Sequence, residues 1–388
     1  MPLRLHRTWA TALVLAFLAA LVTPAAVMLA RLDPEPARAE NRELAPRPAW
    51  PRSWTALRAF PAAASRYFED HFGLRAALVR WQAELRLRLL HVSASPDVIL
   101  GRDGWLFYAG DGASEDIASA VPFTHDELEI WRSTLQHTQD WMRAHGIAYL
   151  FVIAPDKHQI YGDSLPASVH QVGPETRTEV LVRYLHDHST VPVLDLRPLL
   201  ETAKRDERLY HRTDTHWNDR GAYVAYDAIV RALGVAGDPV PRASFEAPAV
   251  RVPGMDLAGM LGVTAALSEE DLPLVPRMPR RAHVLEPARP DAHFMDARIV
   301  TEQPDSTRPR AVVFRDSFAS ALVPFLSEHF SRAVYLWQYN VDPEIVLAEH
   351  ASVVIQEWVG RRLSTELPYD PFAASPPRAA PSGAPDQK

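Results

Sequence analysis

The sequence predicts an α/β fold: a mostly parallel central sheet with helices on both faces, preceded by an N-terminal transmembrane helix. Three observations carry this. Residues 147–153 are an unbroken apolar run, the pattern of a strand buried on both faces. Further short strands are expected at 191–194, 311–314, 333–337 and 352–356, alternating with expected helices, and strands separated by helices imply parallel pairing through crossovers. Residues 9–30 hold no charged side chain over 22 positions, enough to span a hydrocarbon core that needs about 20.

Taken in order, Arg4, His6 and Arg7 precede the apolar run. Positive charge there predicts that this end stays in the cytoplasm while the rest is exported. Ala37-Arg38-Ala39 offers a small-x-small cleavage site, so a cleaved signal is the alternative to an anchor. Residues 31–56 are rich in Pro, Arg and Ala and read as a linker. From 57 to 90 the pattern turns helical. Leu74, Leu78, Trp81, Leu85 and Leu89 repeat at spacings of three and four, an amphipathic stripe expected to pack into a core. Gly73 interrupts an earlier helix carrying Tyr67, Phe68 and Phe72. Gly101-Arg102-Asp103-Gly104 between two apolar runs signals a hairpin. Thr124 and Glu127 have the spacing of a capping box, opening a helix that carries Leu128, Trp131, Leu135 and Met142 and stops at Gly146.

Helices are expected over 175–188 and 219–233, the latter with Ala222, Tyr226, Ile229, Val230 and Leu233 on one side and Gly234 at its end. The Pro-rich stretch 239–309 shows no clear periodicity. A helix is expected from about Ser317.

Composition removes whole classes of function. Of 388 residues, 47% are hydrophobic and 23% charged, which fits a globular chain with a sizeable core. The net charge of −7 without a basic stripe argues against nucleic-acid binding. The absence of cysteine excludes disulfides, thiolate metal sites and thiol catalysis.

Two segments carry chemistry. Phe314-Arg315-Asp316-Ser317-Phe318 follows a buried strand, which places Ser317 at a strand-to-helix turn on the carboxyl edge of the sheet, where α/β folds bind ligands. Thr213-Asp214-Thr215-His216-Trp217 precedes a helix, and an extended Asp-x-His turns both side chains to one face. If the two segments meet, Asp214, His216 and Ser317 supply a Ser-His-Asp triad. Each part also has a plainer role. Ser317 could simply cap its helix. Asp214 and His216 could form a turn or a metal ligand pair, although the further His and Asn ligands such a site needs are missing.

The chain resembles the AlgJ/AlgX-type polysaccharide O-acetyltransferases, whose catalytic domain is SGNH hydrolase-like. The resemblance rests on Asn41-Arg42 with Leu44, Asp70-His71-Phe72-Gly73-Leu74-Arg75 and Gly101-Arg102-Asp103-Gly104-Trp105-Leu106-Phe107. It continues through Ala154-Pro155-Asp156-Lys157-His158 to Ile160-Tyr161, then Thr213 to Trp217 with Gly221-Ala222-Tyr223, Asp256-Leu257 and Asp316-Ser317-Phe318. In this family the Asp-x-His element precedes the serine, as it does here.

The resemblance implies a three-layer SGNH hydrolase-like fold. It also implies an O-acetyltransferase that passes acetyl groups to hydroxyls of a secreted polysaccharide through an acetyl-serine on Ser317, with His216 and Asp214. No metal or cofactor is expected. The implied partners are the polysaccharide acceptor, a membrane-bound O-acyltransferase on the donor side, and the inner membrane. The implied place is the periplasm, tethered to that membrane, with a cleaved periplasmic form as the alternative. An acetyl esterase with the same triad, or a non-catalytic polysaccharide-assembly scaffold, are the competing readings.

The expected organisation is a signal-anchor over 1–35, a linker and helical lead-in over 36–100, the catalytic domain over 101–365 and a disordered tail over 366–388. The short distance from Trp358 to the last residue leaves no room for the carbohydrate-binding module of AlgX-like members, which favours the AlgJ-like form.

Arg315 stands where the family has Gly before Asp-Ser. A second oxyanion donor besides the Ser317 N–H is needed, and Arg315, Gln338 and Asn340 are the residues that could supply it. Lys157, His158 and Tyr161 follow the strand 147–153 and could line the cleft. Trp217 could stack on a sugar ring, although a buried Trp is the ordinary case.

Overall fold

The structure, a computed structural model, describes residues 2–30, 32, 44–234, 237–286 and 298–373. The Ala37-Arg38-Ala39 site, the Asn41-Arg42 pair and the tail from 374 onward lie outside the described residues. The chain divides into two compact units, Met1–Ala94 and Ser95–Lys388.

In the first unit, α1 (Pro2–Ala30) is long and apolar enough to cross a membrane over Ala10–Ala30. Then come α2 (Trp54–His71) and α3 (Arg75–Leu85). The Ser53 hydroxyl accepts the Ala56 N–H at 3.1 Å and starts α2. The periodic stretch is two helices because Phe72 is extended and Leu74 takes a left-handed φ of 65°. The expectation that its apolar stripe is core is corrected: Leu78, Trp81, Leu85 and Leu89 are all exposed. Among the described residues of 44–94 only Gly73 and Ala83 are buried. Closing a core needs a second packed layer over an apolar stripe, and among the described residues of this unit none buries that face.

The second unit opens with β1 (Val98–Leu100) and β2 (Leu106–Tyr108), an antiparallel hairpin pairing Val98 with Tyr108. Asp103 and Gly104 turn it with φ of 53° and 79°. After α4 (Ala113–Ala118) comes α5 (His125–Ala144), whose capping box is formed: the Thr124 N–H donates to Glu127 Oε2 and the Glu127 N–H to Thr124 Oγ1. The chain continues through β3 (Ala148–Ala154), α6 (Lys157–Ile160), α7 (Arg177–His188), β4 (Val193–Asp195), α8 (Arg197–Ala203) and α9 (Asp219–Leu233). Asn218 caps α9 and Gly234 ends it with φ 65°.

The Pro-rich stretch holds small pieces: β5 (Phe245–Glu246), β6 (Val250–Pro253), α10 (Asp256–Met260), β7 (Ser268–Asp271), β8 (Val275–Pro276), β9 (His283–Glu286) and β10 (Ile299–Glu302). Then follow β11 (Arg310–Arg315), α11 (Val323–Leu326), β12 (Arg332–Trp337), α12 (Pro343–Ala348) and β13 (Val353–Val359).

Among the described residues, seven strands form the central sheet in the order β4-β3-β13-β11-β12-β10-β9. Neighbours from β4 to β12 run parallel, but β10 is antiparallel to both β12 and β9. The sheet is therefore mixed, not mostly parallel as expected. The physical reason is chain length. The few residues between β10 and β11 suit a chain reversal, not a crossover, so β10 runs against β11 and therefore against β12, the strand it pairs with.

Alternation along β3 separates two cores. Leu150 and Val152 pack with Leu200 of α8, Tyr226 and Ile229 of α9 and Phe325 of α11. Tyr149, Phe151 and Ile153 pack with Trp131 and Leu135 of α5, Leu181 of α7 and Val346 of α12. Helices thus cover both faces, giving three layers.

Candidate active site

Ser317 lies just past the carboxyl end of β11, with φ −67° and ψ −28°. It is partly exposed between buried Asp316 and Phe318. The expected helix from Ser317 is instead a 3-10 turn over Phe318–Leu322 followed by the one-turn α11. Pro324 lacks the N–H that an α-helical bond to Ser320 would need. Ser317 does not cap this turn with its side chain. Its Oγ sits 2.7 Å from His216 Nε2.

His216 Nδ1 lies 2.7 Å from Asp214 Oδ1. The same oxygen accepts the His216 backbone N–H at 2.9 Å. Asp214 and His216 are thus joined by an Asx turn, not by the extended Asp-x-His expected. These partners fix the ring: Nδ1 donates to the carboxylate, leaving Nε2 to accept from the serine hydroxyl. Burial favours the neutral Asp214 carboxyl, but the hydrogen bonds and charge of His216 outweigh it and hold the carboxyl below its ordinary value.

The loop carrying Asp214 and His216 is held from several directions. The Asp256 carboxylate accepts the Thr215 N–H and hydroxyl, both at 2.8 Å. Glu269 Oε2 accepts the N–H groups of Arg212 at 2.7 Å and Thr213 at 2.8 Å. Lys157 is buried beneath, and its Nζ donates to the carbonyls of His211, Arg212 and Asp214. Burial pushes this amine down to about 7, while the carboxylates of Asp214, Asp256 and Glu269 act the other way. Trp217, 1% exposed, donates Nε1–H to the Phe318 carbonyl at 3.0 Å and so joins this loop to the serine turn. Gly221 belongs to the same packing: a Cβ there would lie 2.3 Å from the Leu209 oxygen and 2.9 Å from Trp217 Cβ.

The turn itself is held by Asp316. Its Oδ1 accepts the Phe318 N–H at 2.8 Å, and its Oδ2 accepts the Val359 N–H and the Tyr339 hydroxyl, both at 3.0 Å. The Asp316 N–H donates to Glu357 Oε2 at 3.0 Å. Burial, and next the charge of Asp316, push the Glu357 carboxyl well above its ordinary range. Among the described residues the Ser317 backbone N–H has no hydrogen-bond partner, so it is available to an oxyanion.

The structure brings Asp214, His216 and Ser317 together. The other residues singled out are engaged elsewhere. Arg315 is buried; it donates to the Asp316 carbonyl and Ser320 Oγ at 2.9 Å and lies over the Trp337 ring. Gln338 Nε2 donates to the Asn340 carbonyl, and Asn340 Oδ1 accepts the Tyr369 N–H. His158 Nε2 pairs with Asp116 at 2.7 Å. The Tyr161 hydroxyl accepts the Leu209 N–H, and its ring stacks on Trp105. Trp217 is core. His158 and Asp116 also line a cavity of about 740 Å³ with Arg102 and Arg197, and Ser317 is not part of its lining.

Sequence reasoning gave no role to Asp256, Glu269, Asp316, Tyr339 or Glu357. Two of them lay inside quoted motifs, Asp256-Leu257 and Asp316-Ser317-Phe318. A carboxylate beside a proposed nucleophile is the signal that would have found Asp316.

One oxygen or nitrogen from each of Asp214, His216 and Asp256 lies within 4.8 Å of the others, a spacing that could hold a cation. Hydrogen bonds within the chain already engage all three: both His216 nitrogens, Asp214 Oδ1 and both Asp256 oxygens.

A three-layer α/β sandwich with serine, histidine and aspartate meeting at the sheet's carboxyl edge is the arrangement of SGNH hydrolase-like proteins. Residues 98–336, more than half of the chain, match the family described as SGNH hydrolase-like domain, acetyltransferase AlgX, and the chain belongs to that family.

The probable alginate O-acetylase AlgJ of Pseudomonas putida is 29% identical over 188 residues, 46% of this chain and 45% of that protein. Its namesake from Pseudomonas fluorescens is 26% identical over 243 residues, 61% and 59% of the two chains. This chain therefore spans less than two thirds of the length of these curated relatives. Among solved structures, Bacillus cereus PatB1 superposes with a TM-score of 0.51 at 18% identity, covering 70% of this chain and 98% of that one. That is a likeness of fold alone.

Proposed function

We propose that the chain is an O-acetyltransferase that moves acetyl groups onto hydroxyls of a secreted polysaccharide through an acetyl-Ser317 intermediate. The observation that carries this reading is the Ser317–His216–Asp214 chain of hydrogen bonds, 2.7 Å at each link. Family membership and the relatives' description as probable alginate O-acetylases support acetyl and polysaccharide as the two sides of the reaction.

Ser317 Oγ attacks the acetyl carbonyl while its proton passes to His216 Nε2. Asp214 steadies the resulting imidazolium. The Ser317 N–H faces the developing oxyanion. The tetrahedral adduct collapses, and His216 returns the proton to the departing group of the donor. A sugar hydroxyl then attacks the acetyl-serine, giving its proton to His216, and the ester forms as Ser317 takes the proton back. The donor side is a membrane-bound O-acyltransferase, and the site of action is the periplasm, with residues 9–30 as an inner-membrane tether.

The test is incubation of the purified protein with a chromogenic acetyl ester and an oligouronate, followed by mass spectrometry of protein and sugar. The expected result is a Ser317 acetyl adduct and an acetylated sugar, both lost in Ser317→Ala with the thermal midpoint preserved. Free acetate without acetylated sugar would make the chain an esterase. Undiminished turnover in folded Ser317→Ala would remove Ser317 from the mechanism.

A further inference from the structure

The apolar stripe of the lead-in has no role in the site described above. Leu78, Trp81 and Leu85 follow one another at spacings of three and four on α3 and so share one side of it, and Leu89 follows in the π-helical turn Arg86–Leu90. All four are exposed, Trp81 at 66% and Leu89 at 69%. On α2, Trp54, Leu57 and Phe68 form a second exposed row, with Trp50 just before it. Rows of large exposed apolar side chains of this kind mark an interaction site. The charge is equally uneven. Residues 44–94 hold eight arginines against Glu69, Asp70 and Glu84, in a chain whose net charge is −7.

We propose that this face lies on the surface of an anionic phospholipid bilayer, the one crossed by residues 9–30. The inference rests on that span and is independent of the acyl-transfer reading. Three features select lipid as the occupant. The stripe belongs to the same compact unit as α1, the helix able to cross a membrane. Its composition is that of an interfacial helix, with Trp and Leu on one side and arginines around them. The arginines complement anionic headgroups, and their apolar stems can lie along the acyl boundary while the guanidinium groups reach phosphate.

The chain has no cysteine, so single nitroxide labels can be placed cleanly. Full-length Leu85→Cys and Leu89→Cys are reconstituted in phosphatidylethanolamine–phosphatidylglycerol vesicles. Asp187→Cys on α7 serves as the water-facing control. Collision of each label with oxygen, which partitions into lipid, is compared with collision with a water-soluble nickel chelate. The labels at 85 and 89 should favour oxygen severalfold more than the label at 187, and the preference should shrink when phosphatidylcholine replaces phosphatidylglycerol.

Vesicles that carry the chain on flotation but leave 85 and 89 as nickel-accessible as 187 overturn the lipid assignment while leaving the span intact. Shielding from both reagents overturns it too, because protein would then cover the face. A chain that fails to float overturns the span, and the occupant with it.

Discussion

Asp316 and Val359 join the ends of two neighbouring parallel strands: the Asp316 carboxylate, one residue before Ser317, accepts the Val359 N–H at 3.0 Å. Its other oxygen accepts the Phe318 N–H, one residue after Ser317. The serine turn is thereby clamped from both sides by one side chain.

Asp316→Asn keeps one acceptor oxygen and loses the other. One of the two backbone donors is left unpaired, which costs about 1–3 kcal/mol for a buried group. Thermal denaturation should show that loss. Acetyl turnover should fall further than the fraction unfolded accounts for, because the Ser317 backbone is no longer fixed. Full turnover at a lowered midpoint would confine Asp316 to stability.

Gly221→Ala should destabilise the second unit, since its Cβ would meet the Leu209 oxygen at 2.3 Å. Relieving such overpacking costs about 1–3 kcal/mol. The strain falls on Leu209 and Trp217, which frame the Asp214–His216 loop, so covalent labelling of Ser317 should slow as well. Labelling kinetics and a melting curve on the same sample decide it.

Glu357→Gln should change how stability depends on pH. The Glu357 carboxyl is pushed above its ordinary 4.5 by burial and by the Asp316 charge. The folded state therefore holds a proton that the unfolded state has released, and wild-type stability falls as pH rises from 4.5 towards the folded value. Glutamine keeps an acceptor for the Asp316 N–H without the proton cost. The variant's melting temperature relative to wild type should be higher at pH 8 than at pH 4.5. A difference that does not vary with pH would mean that Glu357 is ionised in the folded protein.

Chelation should leave turnover unchanged if Asp214, His216 and Asp256 act through the hydrogen bonds described. Activity that collapses in chelator and returns with zinc or manganese would make the three residues metal ligands and overturn the acyl-transfer mechanism.

Much of this was legible in the sequence, and the exceptions have physical causes. The helix expected over 219–233 is α9 at the same bounds, because Asn218 and Gly234 punctuate it and seven of its residues are buried. Strand β3 was readable because both its faces are apolar. Strands β9 and β10 were not, being short pieces at a sheet edge in a Pro-rich stretch, where burial leaves little periodic trace. Ser317, His216 and Asp214 stood out by residue type and by resemblance, but the carboxylates that hold their loops did not. A buried Asp or Glu taking backbone N–H groups has no spacing signature, since its partners are fixed by the fold. The stripe from Leu78 to Leu89 misled in the opposite way: periodicity reports that a face is apolar, not what covers it.

Strand β13 is the last strand in the chain among the described residues, yet it lies between β3 and β11 in the sheet. The joining plank is made after the strands on either side of it. Until residues 353–359 have been synthesised, the β3 side and the β11 side have no common neighbour. The carboxylate beside Ser317 also lacks the Val359 amide that it grips. A premature stop before 353 leaves two unjoined pieces of sheet, β4-β3 and β11-β12-β10-β9, each with a bare hydrogen-bonding edge open to aggregation.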